Sequence, residues 1–311
     1  MQFVAKNLQR LKGRLRAARS HWIEPSPPRP AAPPDHLEIE RSEPLNFQKL
    51  SLEKLGDDVN YALQVGKGHL ELLAYYGQRL DGLRVLELGP GTNLAPQLVM
   101  VSLGAHVSVA DRFLVPWDDD YHPTFYRAFR AAWNAPLPAV DQVLNDGAHS
   151  SQVISSFACP AENLADVLPG TFDLVISNAV LEHVYSLPAV CRELARVTAP
   201  GGLNMHQIDF RDHYDGVRQL DFLIMPDDEY SLSFERSNGE RGNRLRPSEA
   251  RALFEQNGFD LVDFEINLRC QPAYFEEFVP RLRASKSRYR DWPRDDLLIL
   301  GGRVVYRKSR A

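Results

Sequence analysis

The run Val85-Leu86-Glu87-Leu88-Gly89-Pro90-Gly91-Thr92-Asn93 constrains this chain more than any other stretch. It reads as a buried strand that ends abruptly at a glycine-rich turn. A second strand, His106-Val107-Ser108-Val109-Ala110, follows and ends on Asp111. Together they form one βαβ half of a nucleotide-type site. Glycine lets backbone approach a ligand with no Cβ in the way. Asp111 lies about 20 residues beyond the turn, where an acidic side chain can take both hydroxyls of a ribose.

The turn is Gly-x-Gly, and Leu94 or Ala95 stands where a dinucleotide fingerprint has its third glycine. A helix packed on a pyrophosphate wants that glycine. A ligand with a ribose and no phosphate fits better, and S-adenosylmethionine is the first candidate. The plain alternative is a structural turn in an ordinary α/β protein, which Glu87 within the strand and Asp111 at the next strand end argue against.

The segment from about Gly82 to Gly202 resembles class I S-adenosylmethionine-dependent methyltransferases. Val85–Asn93 is similar to their first motif. Phe172-Asp173-Leu174-Val175-Ile176-Ser177-Asn178-Ala179-Val180-Leu181-Glu182-His183-Val184 is similar to their fourth strand and the segment after it. Arg196-Val197-Thr198-Ala199-Pro200-Gly201-Gly202 is similar to the turn into their fifth strand, where Pro200 would stop a helix and the glycines reverse the chain. The resemblance implies an α/β, Rossmann-like fold: a seven-stranded, mostly parallel sheet with helices on both faces. It implies a cofactor across the carboxyl ends of the first strands. The cofactor-binding residues expected are Glu87, Gly89, Gly91, Asn93, Asp111, Arg112, Glu162 and Asn178. Family members usually carry an aspartate just after the third strand, and here Cys159 or Pro160 stands in that place. Glu162 or backbone groups are the substitutes.

The remaining organisation follows from composition and periodicity. Residues 1–22 hold six basic residues and no acidic one, so the overall net charge of −5 leaves the rest of the chain at −11. An acidic body argues against nucleic-acid binding. Val4, Leu8, Leu11, Leu15, Ala18 and Trp22 make residues 2–22 an amphipathic helix suited to an anionic membrane surface or a protein partner. A solvated helix is the alternative. Residues 23–45 carry Pro25, Pro27, Pro28, Pro30, Pro33, Pro34 and Pro44, and read as a semi-rigid linker. The methyltransferase-like domain is expected over 46–311. Three scattered cysteines make no disulfide framework or zinc site, and with no spanning apolar run or secretory signal the expected setting is cytoplasmic, with the basic helix peripheral to a membrane's inner face.

Helices are expected over 46–80, 94–103, 123–134, 186–197 and 247–257. Strands are expected at 152–158, 172–177, 203–208, 259–268 and 297–306, with a bulge at Gly301 and Gly302. Gly66 and Gly68 either approach the ligand or make a helix–helix turn. Trp117 and Tyr121 either wall a pocket or anchor a loop. Residues 209–245 read as a long irregular insertion with a functional role.

Asp209-Phe210-Arg211-Asp212-His213, with His206, is the densest polar cluster near a strand end. A hydroxyl acceptor must lose its proton as it attacks a methyl carbon. His213 or His206, oriented by Asp209 or Asp212, suits that task. Each histidine has a structural alternative, core for His206 and solvated surface for His213. The same four residues could ligate a divalent cation, but no spacing is diagnostic and no metal is expected. Arg244 and Arg246 are candidates for an anionic acceptor, while the basic stretch 281–294 reads as a solvated helix face. The expected reaction is O-methylation of a sugar, glycan precursor or other small polar acceptor. The alternatives are a non-catalytic docking protein with this fold, or an N-methylating enzyme. Because the linker sets residues 1–22 apart, deleting them should leave turnover of a soluble acceptor intact. The deletion should reduce sedimentation with anionic vesicles, by an amount that shrinks as salt rises.

Overall fold

A computed structural model describes residues 50–237 and 239–310. The basic helix expected at 2–22 and the linker expected at 23–45 lie outside the described residues. Seven strands form one mixed sheet in the order β3-β2-β1-β4-β5-β7-β6. They are β1 Arg84–Leu88, β2 His106–Asp111, β3 Ser155–Ala158, β4 Phe172–Asn178, β5 Thr198–Asp209, β6 Phe259–Arg269 and β7 Ile299–Lys308. β1, β2 and β3 pair in parallel, whereas β7 runs antiparallel to both β5 and β6. The longer helices are α1 Leu55–Tyr75, α2 Ala95–Ser102, α3 Tyr121–Trp133, α4 Pro138–Asp146, α5 Leu187–Val197, α6 Asp227–Arg236, α7 Pro247–Gln256 and α8 Pro272–Ala284. Among the described residues, no helix is long and apolar enough to cross a membrane. Those up to Ile176 form one compact unit and those from Ser177 onward another.

Several expectations are corrected. β3 is Ser155–Ala158 and not 152–158, because the amides of Val153 and Ile154 are spent on the carbonyl of Ser150 in a turn. The helix before β5 ends at Val197, three residues ahead of Pro200, and Pro200-Gly201-Gly202 lies inside β5. Thr198 Oγ1 there accepts from Asn204 Nδ2 at 2.9 Å. The irregularity at Gly301 is carried by β6, whose register shifts between Ile266 and Leu268 and again before Arg269. α4 and α8 were not anticipated. The insertion 209–245 is less irregular than its polarity suggests. Leu220, Phe222, Leu223, Tyr230 and Phe234 join Phe275, Phe278 and Leu282 of α8 in a buried cluster. Tyr289 and Trp292 belong to the same cluster, while Arg281 pairs with Asp221 and Arg294 with Glu276. The stretch 281–294 is therefore a structural clasp, not a plain solvated face.

The first unit is organised around the turn after β1. Gly66 lies in mid-helix on α1, and a Cβ there would come within 3.3 Å of the Trp133 ring, so its close approach is to packing. The loop after β2 supports the turn from behind. Trp117 stacks on His122 with ring centroids 5.1 Å apart. Tyr121 is buried and donates to Asp58 Oδ2 at 2.7 Å. Both aromatics are anchors. Leu94 N donates to Tyr126 Oη at 3.1 Å, and His122 Nε2 lies 3.1 Å from the Thr92 carbonyl. Tyr126 Oη in turn meets His149 Nε2 at 2.8 Å.

Burial, reinforced by the charge of His122, lowers the His149 pKa from 6.5 to about 4. The native state thus holds a neutral imidazole that the unfolded chain protonates below its own value. This contribution to stability is present above pH 6.5 and is lost as pH falls toward 4. His149→Gln keeps an acceptor for Tyr126 and removes the titration. A plot of melting temperature against pH should therefore show a shallower fall between those values in the variant than in the parent protein.

Candidate functional site

In the first unit, the turn after β1 is made by backbone conformation. Gly89 and Gly91 have φ of 62° and 78°, a region that costs a residue with a Cβ about 1–2 kcal/mol. A Cβ at Gly91 would meet no atom within 4 Å, so conformation and not crowding demands glycine there. Gly89 N donates to the Ala110 carbonyl at 2.9 Å, which ties the turn to the end of β2. Asn93 Oδ1 accepts from Ala95 N at 3.4 Å and serves the start of α2.

Asp111 is the last residue of β2. Its Oδ1 accepts from Phe113 N at 2.8 Å, and its carbonyl accepts from Cys159 N at 2.9 Å. Arg112 and Glu162 pair at 3.5 Å. Glu87 is buried, with one carboxyl oxygen lacking a hydrogen-bond partner. Burial pushes its pKa up to about 8, only partly offset by Gln97. These residues fit a ribose-bearing ligand without phosphate. The segment 89–95 holds no lysine or arginine, and Pro96 in the first turn of α2 removes an amide that a phosphate would use.

In the second unit, Asn178 closes β4 and Ala179 follows with φ of 58°. That left-handed conformation is strained for a residue with a Cβ, and such strain gathers at functional positions. The amide of Ala179 is held by the Gln207 carbonyl at 3.0 Å. The turn carries Glu182 and His183. Glu182 Oε1 accepts from Asp209 N at 3.0 Å, while Oε2 is buried without a partner. His183 Nδ1 donates to the Gly239 carbonyl at 2.7 Å. Asn243 braces the same turn through its Nδ2, 2.8 Å from the Leu181 carbonyl.

Asp209, the last residue of β5, takes Arg211 through both oxygens and lies 3.7 Å from His213 Nε2. The rings of His183 and His213 are 4.9 Å apart. Burial raises the pKa of Glu182 to about 8, against main-chain hydrogen bonds. Burial also works against the Asp209 carboxylate, but His213 and Arg211 outweigh it and hold Asp209 well below the usual range. His213 loses by burial and gains more from Asp209, so its pKa is raised.

The structure brings Asp209 and His213 together and separates the other two candidates. His206 is three residues from Asp209 on β5, which puts the two side chains on opposite faces of the sheet. It is buried against Phe254, meets Ser177 Oγ at 2.8 Å, and burial lowers its pKa to about 3. Asp212 is committed to Arg241 at 2.7 Å and to Tyr214 N at 3.0 Å. Arg244 is used by the Met225 carbonyl and Asp227, and Arg246 by main-chain carbonyls, so neither awaits an anionic acceptor. Glu182 was missed by sequence reasoning. Its only signal was an acid beside a histidine just past a strand.

A family model described as a methyltransferase domain matches residues 59–263. No curated protein matches the chain. Solved structures with a similar course include a putative sarcosine dimethylglycine methyltransferase from Galdieria sulphuraria, 15% identical, covering 80% of this chain and 86% of that one at a TM-score of 0.44. Another is magnesium protoporphyrin IX methyltransferase from Synechocystis PCC 6803 with bound SAH, 12% identical, covering 84% and 89% at 0.43. A third is an S-adenosylmethionine dependent methyltransferase from Mesorhizobium loti, 16% identical, covering 74% and 93% at 0.40. The family model spans well over half of the chain and takes in the glycine turn, Asp111, Glu182, Asp209 and His213. The chain belongs to the methyltransferase-domain family and is a class I S-adenosylmethionine-dependent methyltransferase.

Proposed function

We propose that this enzyme methylates an oxygen of a small polar acceptor, with a sugar hydroxyl, free or in a glycan precursor, as the acceptor class. The observation that supports it is the convergence of Asp209, His213, Glu182 and His183 in the second unit. Carboxylate and imidazole together hold a hydroxyl by hydrogen bonds and govern the loss of its proton. An acceptor that arrives as an already deprotonated nucleophile would not need them.

Bound S-adenosylmethionine supplies an electrophilic methyl group on a sulfonium, so that the acceptor oxygen gains the methyl carbon while the electron pair of the broken C–S bond stays on sulfur. On the protein side, Asp111 would hold the ribose hydroxyls. Gly89 and Gly91 would let main chain lie against the ligand, and Glu87 would contribute its unpartnered oxygen at the end of β1. Glu162 and Arg112 act as a pair beside the end of β3. Asp209 orients His213, on which loss of the acceptor proton depends. Alignment of acceptor and methyl group is the larger part of the task.

Two measurements test this assignment. A hydrogen bond to a charged group contributes about 1.5–3 kcal/mol, so Asp111→Ala should weaken S-adenosylmethionine at least about tenfold in calorimetry. Unchanged affinity in a folded variant would remove Asp111 from the site. His213→Ala should lower labelled-methyl transfer to a hydroxyl acceptor at least about a hundredfold while S-adenosylmethionine still binds. His206→Ala, by contrast, should lower the melting temperature and spare the turnover of the folded fraction. A fully active His213→Ala enzyme would leave alignment alone as the source of rate.

A further inference from the structure

We propose that Tyr126, His149 and His122 are positioning residues for S-adenosylmethionine: through hydrogen bonds that need both imidazoles neutral, they hold the Thr92–Leu94 limb of the turn after β1 in its ligand-binding shape. The proposal rests on the assignment of the cofactor to that turn and is independent of the acceptor. All three residues belong to the first unit. His122 and Tyr126 stand four apart on α3 and so share one face of it, and His149 follows the end of α4. Two main-chain groups flank Asn93, and each is taken by one of these side chains. Leu94 N donates to Tyr126 Oη at 3.1 Å, and Tyr126 Oη meets His149 Nε2 at 2.8 Å. On the other side, His122 Nε2 lies 3.1 Å from the Thr92 carbonyl.

The direction of each hydrogen bond follows from the groups that meet. A main-chain amide only donates, and a main-chain carbonyl only accepts. Asp118 N donates to His122 Nδ1 at 2.8 Å, so that nitrogen carries no proton. Nε2 therefore carries it and donates to the Thr92 carbonyl. A charged His122 would set a second N–H against the amide of Asp118. Tyr126 accepts from Leu94 and has one proton to give. Of the two groups at its oxygen, only His149 Nε2 can accept that proton. A proton on His149 Nε2 would bring a second N–H to the same oxygen and strand the tyrosine proton in the interior, which is costly.

The surroundings keep both rings neutral. Burial lowers the His122 pKa against the pull of the Thr92 and Asp118 contacts, and it lowers that of His149 to about 4, with His122 adding to the effect. Burial raises the pKa of Tyr126, so the phenol keeps the proton it donates. The two imidazoles stand edge to face with centroids 4.9 Å apart, and a charge on one opposes a charge on the other. Trp117 stacks on His122 and meets His149 edge-on, each at 5.1 Å. The other titratable groups around the pair have partners of their own. Tyr121, 5.3 Å from the His122 ring, donates to Asp58 of α1. The Asp118 carboxylate takes the amides of Asp120 and Tyr121, and Asp119 takes Trp117 Nε1. His122 and Tyr126 are fully buried, whereas His149 is partly exposed, so solvent reaches the outer end of this chain of bonds. Without these contacts the turn would spread over other conformations, and affinity would fall with the fraction still competent.

The test uses the full chain and S-adenosylmethionine itself, with affinity read by calorimetry at neutral pH. Tyr126→Phe removes the oxygen between Leu94 and His149, and His149→Leu removes the acceptor behind it. Each should weaken binding at least about tenfold, the loss expected when the turn spends about a tenth of its time in the competent shape. His149→Gln puts a side-chain carbonyl in place of Nε2 and should restore most of the affinity, which a role in packing alone would not require. The second readout is the NMR titration of the His149 ring. Because binding needs the neutral form, S-adenosylmethionine should move the midpoint to lower pH, by the same factor by which protonation weakens binding. Melting curves show which variants are folded at the temperature of the titrations. His149→Leu, at a partly exposed position, covers the case in which Tyr126→Phe fails to fold. Unchanged affinity in the folded variants would overturn the proposal, as would an equal loss in His149→Gln and His149→Leu, or a midpoint that S-adenosylmethionine leaves in place. Weakened binding in Asp111→Ala with unchanged binding in Tyr126→Phe keeps the cofactor site and removes these positioning residues. Unchanged binding in both removes the assignment of the cofactor to this turn.

Discussion

The second unit depends on one buried cation. Arg246, at the start of α7, is fully enclosed, and its guanidinium donates to the carbonyls of Phe210, Asp296, Leu297 and Ile299. A charge taken out of water is tolerated only when such partners are supplied. Here they come from the segment after β5 and the segment leading into β7, so one side chain fixes two strand ends. Asp296 completes the arrangement by accepting from Ser248 N and Ser248 Oγ, each at 3.0 Å, which anchors the first turn of α7. Phe210 directly follows Asp209, so the clamp also sets where the Asp209 carboxylate stands.

The two units carry the same unusual expense. Glu87 and Glu182 are both buried carboxyls, each with one oxygen unpartnered, and burial pushes each pKa up to about 8. A fold selected for stability alone would replace them with apolar residues or a satisfied amide. Local rules are broken most often where function needs the group. Each stands beside the feature it would serve: Glu87 one residue before the end of β1, and Glu182 against the amide that ends β5. Around each, the supporting structure is stiff. In the first unit Tyr126, His122 and Trp117 hold the glycine turn. In the second, Asn243 and Gly239 hold the 181–184 turn. Binding geometry held by packed supports needs little reorganisation when a ligand arrives.

How much was legible in advance depends on whether a feature is local. Gly89, Gly91 and Asp111 could be read directly, because a left-handed turn and an acid at a strand end are properties of a few adjacent residues. The order of the strands was legible for the same reason, whereas α4 and α8 were not, and further errors fell where polar sequence concealed a core. Leu220, Phe222 and Tyr230 sit among charges, yet they pack against α8. The reading of residues 152–158 as one strand failed because a hydrophobic run does not reveal that Ser150 already holds two of its amides.

By itself, the sequence determined the glycine turn, the acid that follows it, the α/β alternation and hence the class of cofactor. Those follow from steric limits on backbone and from periodicity, both of which act over short distances. Only the tertiary structure decided which polar residues gather at the strand ends and which are consumed by structural partners. His206 and Asp209 are three apart in one strand and end on opposite faces. Asp212, Arg244 and Arg246 look like site residues and are consumed by distant partners. Glu182 looks ordinary and is left with a bare oxygen in the interior. The physical reason is that the character of a charged group depends on what surrounds it. Desolvation and partner charges come from residues tens of positions away in the chain, which no local pattern records.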